Sequence, residues 1–257
     1  MEVLYEKKEK VATITLNRPE AMNAISREMA RDLSEAWTDF AEDPSLSVLI
    51  VTGAGDKAFC VGADLKEKEL KGDVHVTSFW NGSSKVPMRG APLYKPVIAA
   101  INGHCLGGGL ELALLADIRI AADHATVGQP EIRLGIFPGM GATQRLPRTL
   151  SYNLAAEILF TGDRFDARKA LEMGLINRVV PAGELKAAAR SVAETVSAQA
   201  PLALRAVKEA LLRSYDLPLD EGLRLEGLLR RIVGDTQDAQ EGVRAFMEKR
   251  EPRFSGK

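Results

Sequence analysis

The feature that most constrains the fold is a glycine-rich segment, "GHCLGGGLELAL", which runs from Gly103 to Leu114. It follows "KPVIAAIN", which has the form of a buried strand, and it leads into a helix-like apolar stretch. Four of its first seven residues are glycine, and Glu111 comes two positions after the last of them. Because glycine lets other groups approach the backbone closely, the segment predicts a strand-to-helix turn at the edge of a core. We expect a helix from about Gly108, with Glu111 in its first turn.

The pattern of apolar segments predicts an α/β core followed by a mostly helical region. A hairpin is expected around the charged turn "KEK", and Ser26 is expected to cap the helix that comes next. Further strands are predicted in "SVLIVTG", "KAFCVGADL", "PVIAAING", "DIRIAAD" and "ATVGQPE". From Asp166 onward helical patterns dominate, and only "LINRVV" is strand-like. We therefore predict an α/β core at 1–195 and a mostly helical region at 196–257.

Composition and charge exclude several classes of protein. The formal net charge is -1, which argues against nucleic acid or an anionic membrane as the partner. No apolar run reaches the length of a membrane span, and the N-terminal "MEVLYEKKEKVA" does not resemble a signal peptide. The two cysteines, Cys60 and Cys105, predict no disulfide framework, and the three histidines are too scattered for a metal cluster. A reducing cytoplasm is the expected compartment.

The glycine-rich segment has three interpretations. It can be a tight turn and nothing more. It can bind phosphate, but a dinucleotide fingerprint from Gly107 would need glycine where Leu112 stands, and no glycine-Lys-Ser/Thr loop occurs. In the third interpretation, N–H groups at the helix start bind a negative charge that develops on a carbonyl oxygen. The glycine-flanked turn in "FCVGADL" can supply a second donor of this kind.

Two carboxylates accompany this turn, Glu111 and, in "GQPEIRLG", Glu131. The helix dipole favours an acid near a helix start, which is enough to explain Glu111 by itself. Glu131 can equally be a loop carboxylate paired with Arg133 or Arg145. Taken together with two donor-bearing turns, however, a pair of acids is typical of proton transfer next to a carbonyl group.

Four segments together resemble the enoyl-CoA hydratase/isomerase (crotonase) superfamily, and the likeness covers nearly the whole chain. They are "AFCVGADLKE", "KPVIAAINGHCLGGGLELALLADIRIAAD", "GQPEIRLGIFPGMGATQRLPR" and "ILFTGDRFDARKALEMGLINRVV". The resemblance implies an α/β fold, with a ββα-spiral core and a helical C-terminal trimerisation region. It also implies a hydro-lyase of the hydratase branch, acting in fatty acid metabolism, which adds water reversibly and syn to a 2-enoyl-CoA thioester.

Within that superfamily, the two glutamates of the hydratase branch match Glu111 and Glu131, and the oxyanion-hole N–H groups match Val61 and Gly108. The resemblance implies that Glu111 holds and activates the water and that Glu131 delivers a proton to C2. Two carboxyls around one water titrate as a coupled pair, so separate acid and base roles describe one microstate of that pair. No metal and no cofactor is implied, because coenzyme A is part of the substrate.

The resemblance also implies where coenzyme A binds. Its adenine and pantetheine are expected on the "GADL" turn and the "AMNA" segment, and its phosphates on two lysines. The corresponding residues are Ala24, Ala63, Asp64 and Leu65 for the first group, and Lys66 and, from a neighbouring subunit, Lys249 for the second. The neighbour would belong to a homotrimer or to a dimer of trimers.

The identity of the substrate's acyl group stays open, because several residues near its expected position are bulkier than is usual in the superfamily. Val61 and Leu110 replace smaller residues in the two glycine-flanked turns. Residues assigned to the acyl pocket are Phe79, Trp80, Phe137 and Met140, although two aromatics in a variable segment are also compatible with ordinary packing. The same glutamates serve hydration or dehydration of carnitinyl, branched or cyclic dienoyl acyl-CoA esters. The 3,2-enoyl-CoA isomerases typically lack one of the two glutamates.

RNA binding is the alternative from another class, since one branch of the superfamily carries a lysine-rich first helix. Here the helix from Ser26 to Asp43 has two basic residues, Arg27 and Arg31, against six acidic ones. A surface that follows phosphates needs the opposite sign of charge. A catalytically inactive scaffold is disfavoured because both acids are present.

Overall fold

The computed structural model describes residues 1–66 and 93–257, and its strands form two sheets. The strands are β1 (Val3–Lys8), β2 (Val11–Leu16), β3 (Val48–Gly53), β4 (Ala58–Cys60), β5 (Val97–Ile101), β6 (His104–Leu106), β7 (Ile118–Ala122), β8 (Thr126–Gly128), β9 (Arg164–Asp166) and β10 (Arg178–Val180). The larger sheet has the order β1-β2-β3-β5-β7-β10, and the smaller has the order β4-β6-β8-β9. The β1–β2 and β8–β9 pairs are antiparallel and the other pairs are parallel.

From β3 to β8, successive strands alternate between the two sheets. The chain passes from β3 in the larger sheet to β4 in the smaller, and it repeats this step from β5 to β6 and from β7 to β8. A helix follows β6, and two more follow β8 before the chain returns with β9. Each turn of the chain therefore contributes one strand to each sheet, which is the ββα spiral that the resemblance predicts.

Helices connect the strands and then dominate the C-terminal part, as predicted. They are α1 (Arg27–Glu42), α2 (Gly108–Ala113), α3 (Ala142–Thr149), α4 (Tyr152–Thr161), α5 (Ala167–Glu172), α6 (Leu185–Ser197), α7 (Pro201–Arg213), α8 (Leu219–Gly234) and α9 (Gln237–Glu248). The predicted cap of α1 is confirmed, because Ser26 Oγ accepts a hydrogen bond from Met29 N at 2.9 Å. In the part of the chain that the structure describes, no helix has both the length and the apolar character that a membrane span requires.

The β3 strand explains why "SVLIVTG" contains four consecutive apolar residues, at positions 48–51. Leu49 and Val51 belong to the main hydrophobic core, which also contains Phe59 of the smaller sheet. Val48 and Ile50 point to the other face, where they pack with α6. Side chains alternate between the two faces of a strand, so a strand covered on both faces needs an apolar residue at each step.

The helical C-terminal part is tied to the larger sheet by a buried lysine. Nζ of Lys208 on α7 donates hydrogen bonds to Asp117 Oδ2 and to the carbonyl oxygen of Lys95, both at 2.8 Å. Asp117 also accepts the backbone N–H of Val97 at the start of β5. Removing one partner from a buried ion pair is costly, so this contact holds α7 against the core. The division at residue 195 stays a prediction.

Two short strands depart from the sequence-based expectation. β6 lies inside the glycine-rich segment, where only a turn was expected, and β9 lies in "GDRFD", where no strand was predicted. Each has three residues, too few to show an alternating pattern. Both exist because β8 lies between them and supplies hydrogen-bonding partners on each side.

Candidate active site

The glycine-rich segment places the start of α2 directly against β4. Gly107 has φ +55°, which few side chains tolerate, and its N–H donates to Gly128 O at 3.0 Å. A β-carbon at Gly109 would lie 2.1 Å from the carbonyl oxygen of Cys60. The glycines therefore serve close backbone packing between β4, β6 and α2, as well as the turn itself.

The two turns predicted to form the oxyanion hole are in contact. Val61 follows β4 directly, and Gly108 is the first residue of α2. A β-carbon at Gly62 would lie 3.0 Å from the backbone nitrogen of Gly108, and one at Gly108 would lie 3.4 Å from the Gly62 Cα. The first N–H groups of a helix have no partner within it. The structure thus brings the turns of Val61 and Gly108 together, and their role stays a prediction.

Glu111 is buried in α2, and its carboxyl group accepts hydrogen bonds from backbone donors. The residue is only 2% exposed, and its Oε1 accepts hydrogen bonds from Met140 N at 2.7 Å and from Ala142 N at 3.0 Å. A buried carboxylate needs such donors to offset the loss of water. Glu111 is therefore more than an acid that complements a helix dipole, because a separate loop holds one of its oxygens.

Arg145 supports the loop that holds Glu111. Its Nη1 donates to the carbonyl oxygen of Met140 at 2.8 Å, and a β-carbon at Gly141 would lie 1.9 Å from the same Nη1. Burial lowers the pKa of Arg145, and the charge of Glu111 acts in the opposite direction. The guanidinium thus packs on the turn whose flanking N–H groups contact Glu111.

Glu131 lies in the 3-10 turn Pro130–Leu134, where its carboxylate faces the glycine-rich segment. Oε1 accepts a hydrogen bond from Gln129 Nε2 at 3.1 Å, and a β-carbon at Gly107 would lie 2.9 Å from Oε1. Gly107 also accepts the N–H of Glu111 at 3.0 Å through its carbonyl oxygen. Gly107 is therefore the common neighbour of both acids. Arg133, one of the partners considered for Glu131, pairs instead with Asp163.

Cys60 and Cys105 lie beside this site but are unsuited to nucleophilic chemistry. They are paired residues on β4 and β6, and both are free and fully buried. Burial raises the pKa of Cys60 to about 12, although a hydrogen bond from Gly62 N opposes the shift, and burial raises that of Cys105 well above its usual value. The thiolate is the reactive form of cysteine, so these thiols are structural.

The segments predicted to bind coenzyme A come together beside the Gly62 turn. Ile25 donates its N–H to Gly62 O at 2.8 Å and accepts the N–H of Asp64 at 2.9 Å, which aligns the segments of Ala24 and Ala63.

The side chains of this region differ in exposure. Asp64 pairs with Arg18, and hydrogen bonds from the backbone of Lys66 and from Arg18 lower the pKa of Asp64. Leu65 and Lys66 are exposed, as is Lys249 at the end of α9. Their contacts with coenzyme A stay predictions.

The four residues assigned to the acyl pocket are not equivalent. Met140 packs partly against the core, and its backbone N–H contacts Glu111. Phe137 is 75% exposed. Phe79 and Trp80 lie outside the described residues.

Sequence reasoning missed the residues that hold the two acids. Gln129 was visible in "GQPEIRLG" as a polar residue directly after a strand and before a proline, but it had no assigned role. Met140 and Ala142 act through backbone N–H groups, which leave no mark in the sequence apart from the glycine between them. Only the folded chain brings the loop of residues 139–142 to Glu111.

Comparison with known proteins finds relatives along the whole length of the chain. A family model described as enoyl-CoA hydratase/isomerase matches residues 6–257. The (E)-benzylidenesuccinyl-CoA hydratase of Thauera aromatica is 40% identical over 100% of both chains, and the crotonyl-CoA hydratase of Syntrophomonas wolfei is 39% identical over 99% of this chain and 98% of its own. A crystal structure of an enoyl-CoA hydratase from Bacillus anthracis superimposes with a TM-score of 0.93 at 39% identity, covering 100% of each chain. The chain therefore belongs to the enoyl-CoA hydratase/isomerase family, in its hydratase branch.

Proposed function

We propose that this protein catalyses the reversible syn addition of water to the double bond of a 2-enoyl-CoA thioester. The observation that carries the proposal is the junction at Gly107. Its carbonyl oxygen accepts the N–H of Glu111, and its Cα lies against the carboxylate of Glu131. The Gly62–Gly108 contact lies one residue away. The backbone of Glu111, the carboxylate of Glu131 and the two amide-bearing turns therefore meet near Gly107, which supports the arrangement that this reaction needs.

The backbone N–H groups of Val61 and Gly108 stabilise the negative charge that moves onto the thioester oxygen during the attack. Glu111 holds the water and takes its proton as the oxygen bonds to C3, and Glu131 delivers a proton to C2. Because both acids act from the same side of the double bond, the addition is syn. Losing one oxyanion-hole donor typically lowers the rate by about 10²–10³-fold. Coenzyme A is part of the substrate, and the reaction requires no other cofactor.

Coenzyme A lies along the paired segments beside the Gly62 turn. The adenine and pantetheine contact Ala24 and residues 63–65, and Lys66 binds a phosphate. Lys249 of a neighbouring subunit supplies a second positive charge. Lys66 and Lys249 are both exposed, as phosphate ligands must be. Because Cys60 and Cys105 are both free thiols, we also propose the reducing cytoplasm as the compartment.

The assay that tests the proposal is a panel of 2-enoyl-CoA esters, followed by the loss of the enoyl-thioester absorbance. The panel includes crotonyl-CoA, longer straight chains, branched and carnitinyl esters, and (E)-benzylidenesuccinyl-CoA, since a relative at 40% identity is named for that substrate. We expect hydration of at least one ester, unchanged by a metal chelator. Double-bond migration without hydration, or no turnover of any ester, would contradict the proposed function.

The helices α7, α8 and α9 form the interface of a homotrimer, or of a dimer of trimers. Large apolar side chains on them are exposed in the single chain: Val207, Leu211, Leu212, Leu219, Leu223, Leu228, Ile232, Val243, Phe246 and Met247. Exposed apolar side chains in this number are typical of protein–protein interfaces. Sedimentation equilibrium should give a mass of three or six chains, and a monomer at assay concentrations would contradict the proposal.

A further inference from the structure

The side chain of Gln129 contacts the carboxylate of Glu131. It follows β8 directly, and it is fully buried. Its Nε2 donates to Glu131 Oε1 at 3.1 Å, while Gly107 lies against the same oxygen. One oxygen of the carboxyl group is therefore enclosed between a backbone Cα and an amide donor.

The position of the amide oxygen of Gln129 is energetically unfavourable. Its Oε1 is buried and, within residues 1–66 and 93–257, accepts no hydrogen bond. Burying an amide oxygen without a donor costs stability that an apolar side chain of the same size would not cost. Such an exception to the rule that buried polar groups are paired indicates a role other than packing.

We propose that Gln129 is a positioning residue for Glu131, a role that rests on the proposed function. A carbonyl oxygen accepts an amide N–H more strongly than a hydroxyl oxygen does, so the hydrogen bond from Gln129 favours Oε1 as the oxygen that carries no proton. The transferable proton of Glu131 is thereby carried on Oε2. Gln129 also fixes the plane of the carboxyl group, so that this proton points in one direction.

The half-buried side-chain amide of Asn102 provides a comparison, because its role is purely structural. Asn102 accepts the N–H of Gly53 and donates to the carbonyl oxygens of Gly55 and Ala58. All of its polar atoms are used in holding backbone segments together. Asn102→Leu should therefore lower the melting temperature while leaving kcat of the folded enzyme within about twofold of wild type.

The test compares Gln129→Met, which keeps the length of the side chain but removes the donor, with wild type and with Asn102→Leu. We expect kcat to fall by about 10–100-fold, because misplacing a catalytic group by about 1 Å costs up to 10² in rate. KM should change by less than about threefold, and the melting temperature should fall less than in Asn102→Leu.

Two further arms separate positioning from a general structural effect. In a Glu131→Gln background, Gln129→Met should cause no further loss of kcat, because residues that act through one another are not additive. Gln129→Glu should be most active at acid pH, where the introduced carboxyl can donate a proton to Glu131 Oε1. Its activity should decline as that carboxyl ionises, since two like charges would then face each other.

The inference is overturned if Gln129→Met keeps kcat within twofold of wild type, or if it loses kcat and melting temperature together as a structural variant does. An equal loss of kcat in the wild-type and Glu131→Gln backgrounds would also overturn it. Failure of the proposed function gives a different result, namely no hydration of any ester by the wild-type enzyme, and failure of the role of Glu131 gives near-normal hydration by Glu131→Gln alone.

Discussion

Replacing Glu131 with Gln should lower the rate of hydration by about 10²–10⁴-fold, the range of a lost general acid. The introduced amide has the shape of the carboxyl group, and its oxygen can still accept the hydrogen bond from Gln129. It cannot deliver a proton to C2. We therefore expect an unchanged melting temperature, largely unchanged binding of an unreactive acyl-CoA analogue, and a loss confined to kcat.

The matched control is Glu157→Gln, which makes the same chemical change at an exposed position on α4. It should leave kcat, KM and the melting temperature close to those of wild type. If Glu131→Gln retained near-normal turnover, Glu131 would not be the proton donor. If it lost turnover only because it unfolded, the melting curve would reveal this.

Gly109→Ala should damage both stability and activity. The added methyl group would lie 2.1 Å from the carbonyl oxygen and 2.7 Å from the carbonyl carbon of Cys60, neither of which can rotate away. Overpacking of a core typically costs about 1–3 kcal/mol, and contact with an immovable backbone places this variant at the upper end. Relief requires α2 to move away from β4, which separates Val61 from Gly108.

The activity of Gly109→Ala should consequently fall by about 10²-fold or more even in the folded fraction, because the oxyanion donors no longer converge. Thermal melting and hydration kinetics on the same preparation measure the two effects. Gly183→Ala is the control, since a β-carbon at Gly183 would meet nothing within 4 Å. It should leave both quantities nearly unchanged. A fully active Gly109→Ala enzyme would contradict the assignment of the two turns to one oxyanion hole.

The two acids are held by different kinds of donor, and this has a chemical consequence. Glu111 Oε1 accepts hydrogen bonds from two backbone N–H groups of one loop, whereas Glu131 Oε1 accepts a hydrogen bond from the side-chain amide of Gln129. In each case the protein holds one oxygen of the carboxyl group, and under the proposed function the other oxygen handles the proton. A carboxyl group fixed in this way loses little freedom in the transition state, which favours catalysis.

Several features of the fold could be predicted from local sequence because their causes are local. Ser26 caps α1 through a hydrogen bond to a residue three positions away, and residues 48–51 of β3 form an unbroken apolar run, which is the local sign of a strand covered on both faces. The C-terminal helices carry their own periodic patterns. The spiral arrangement and the pairing of Glu111 with Glu131 came from a resemblance of motifs, since neither has a local signal.

The sequence by itself determined the types of element, the positions of the two acids and the glycines between them, because propensity and periodicity act over a few residues. Only the tertiary structure decided that β6 forms inside the glycine-rich segment, that Met140 and Ala142 hold Glu111, and that Gly107 touches Glu131. These contacts join residues up to 31 positions apart through backbone atoms. Every residue carries the same backbone donor and acceptor, so only the packing of the sheets selects which of them meet.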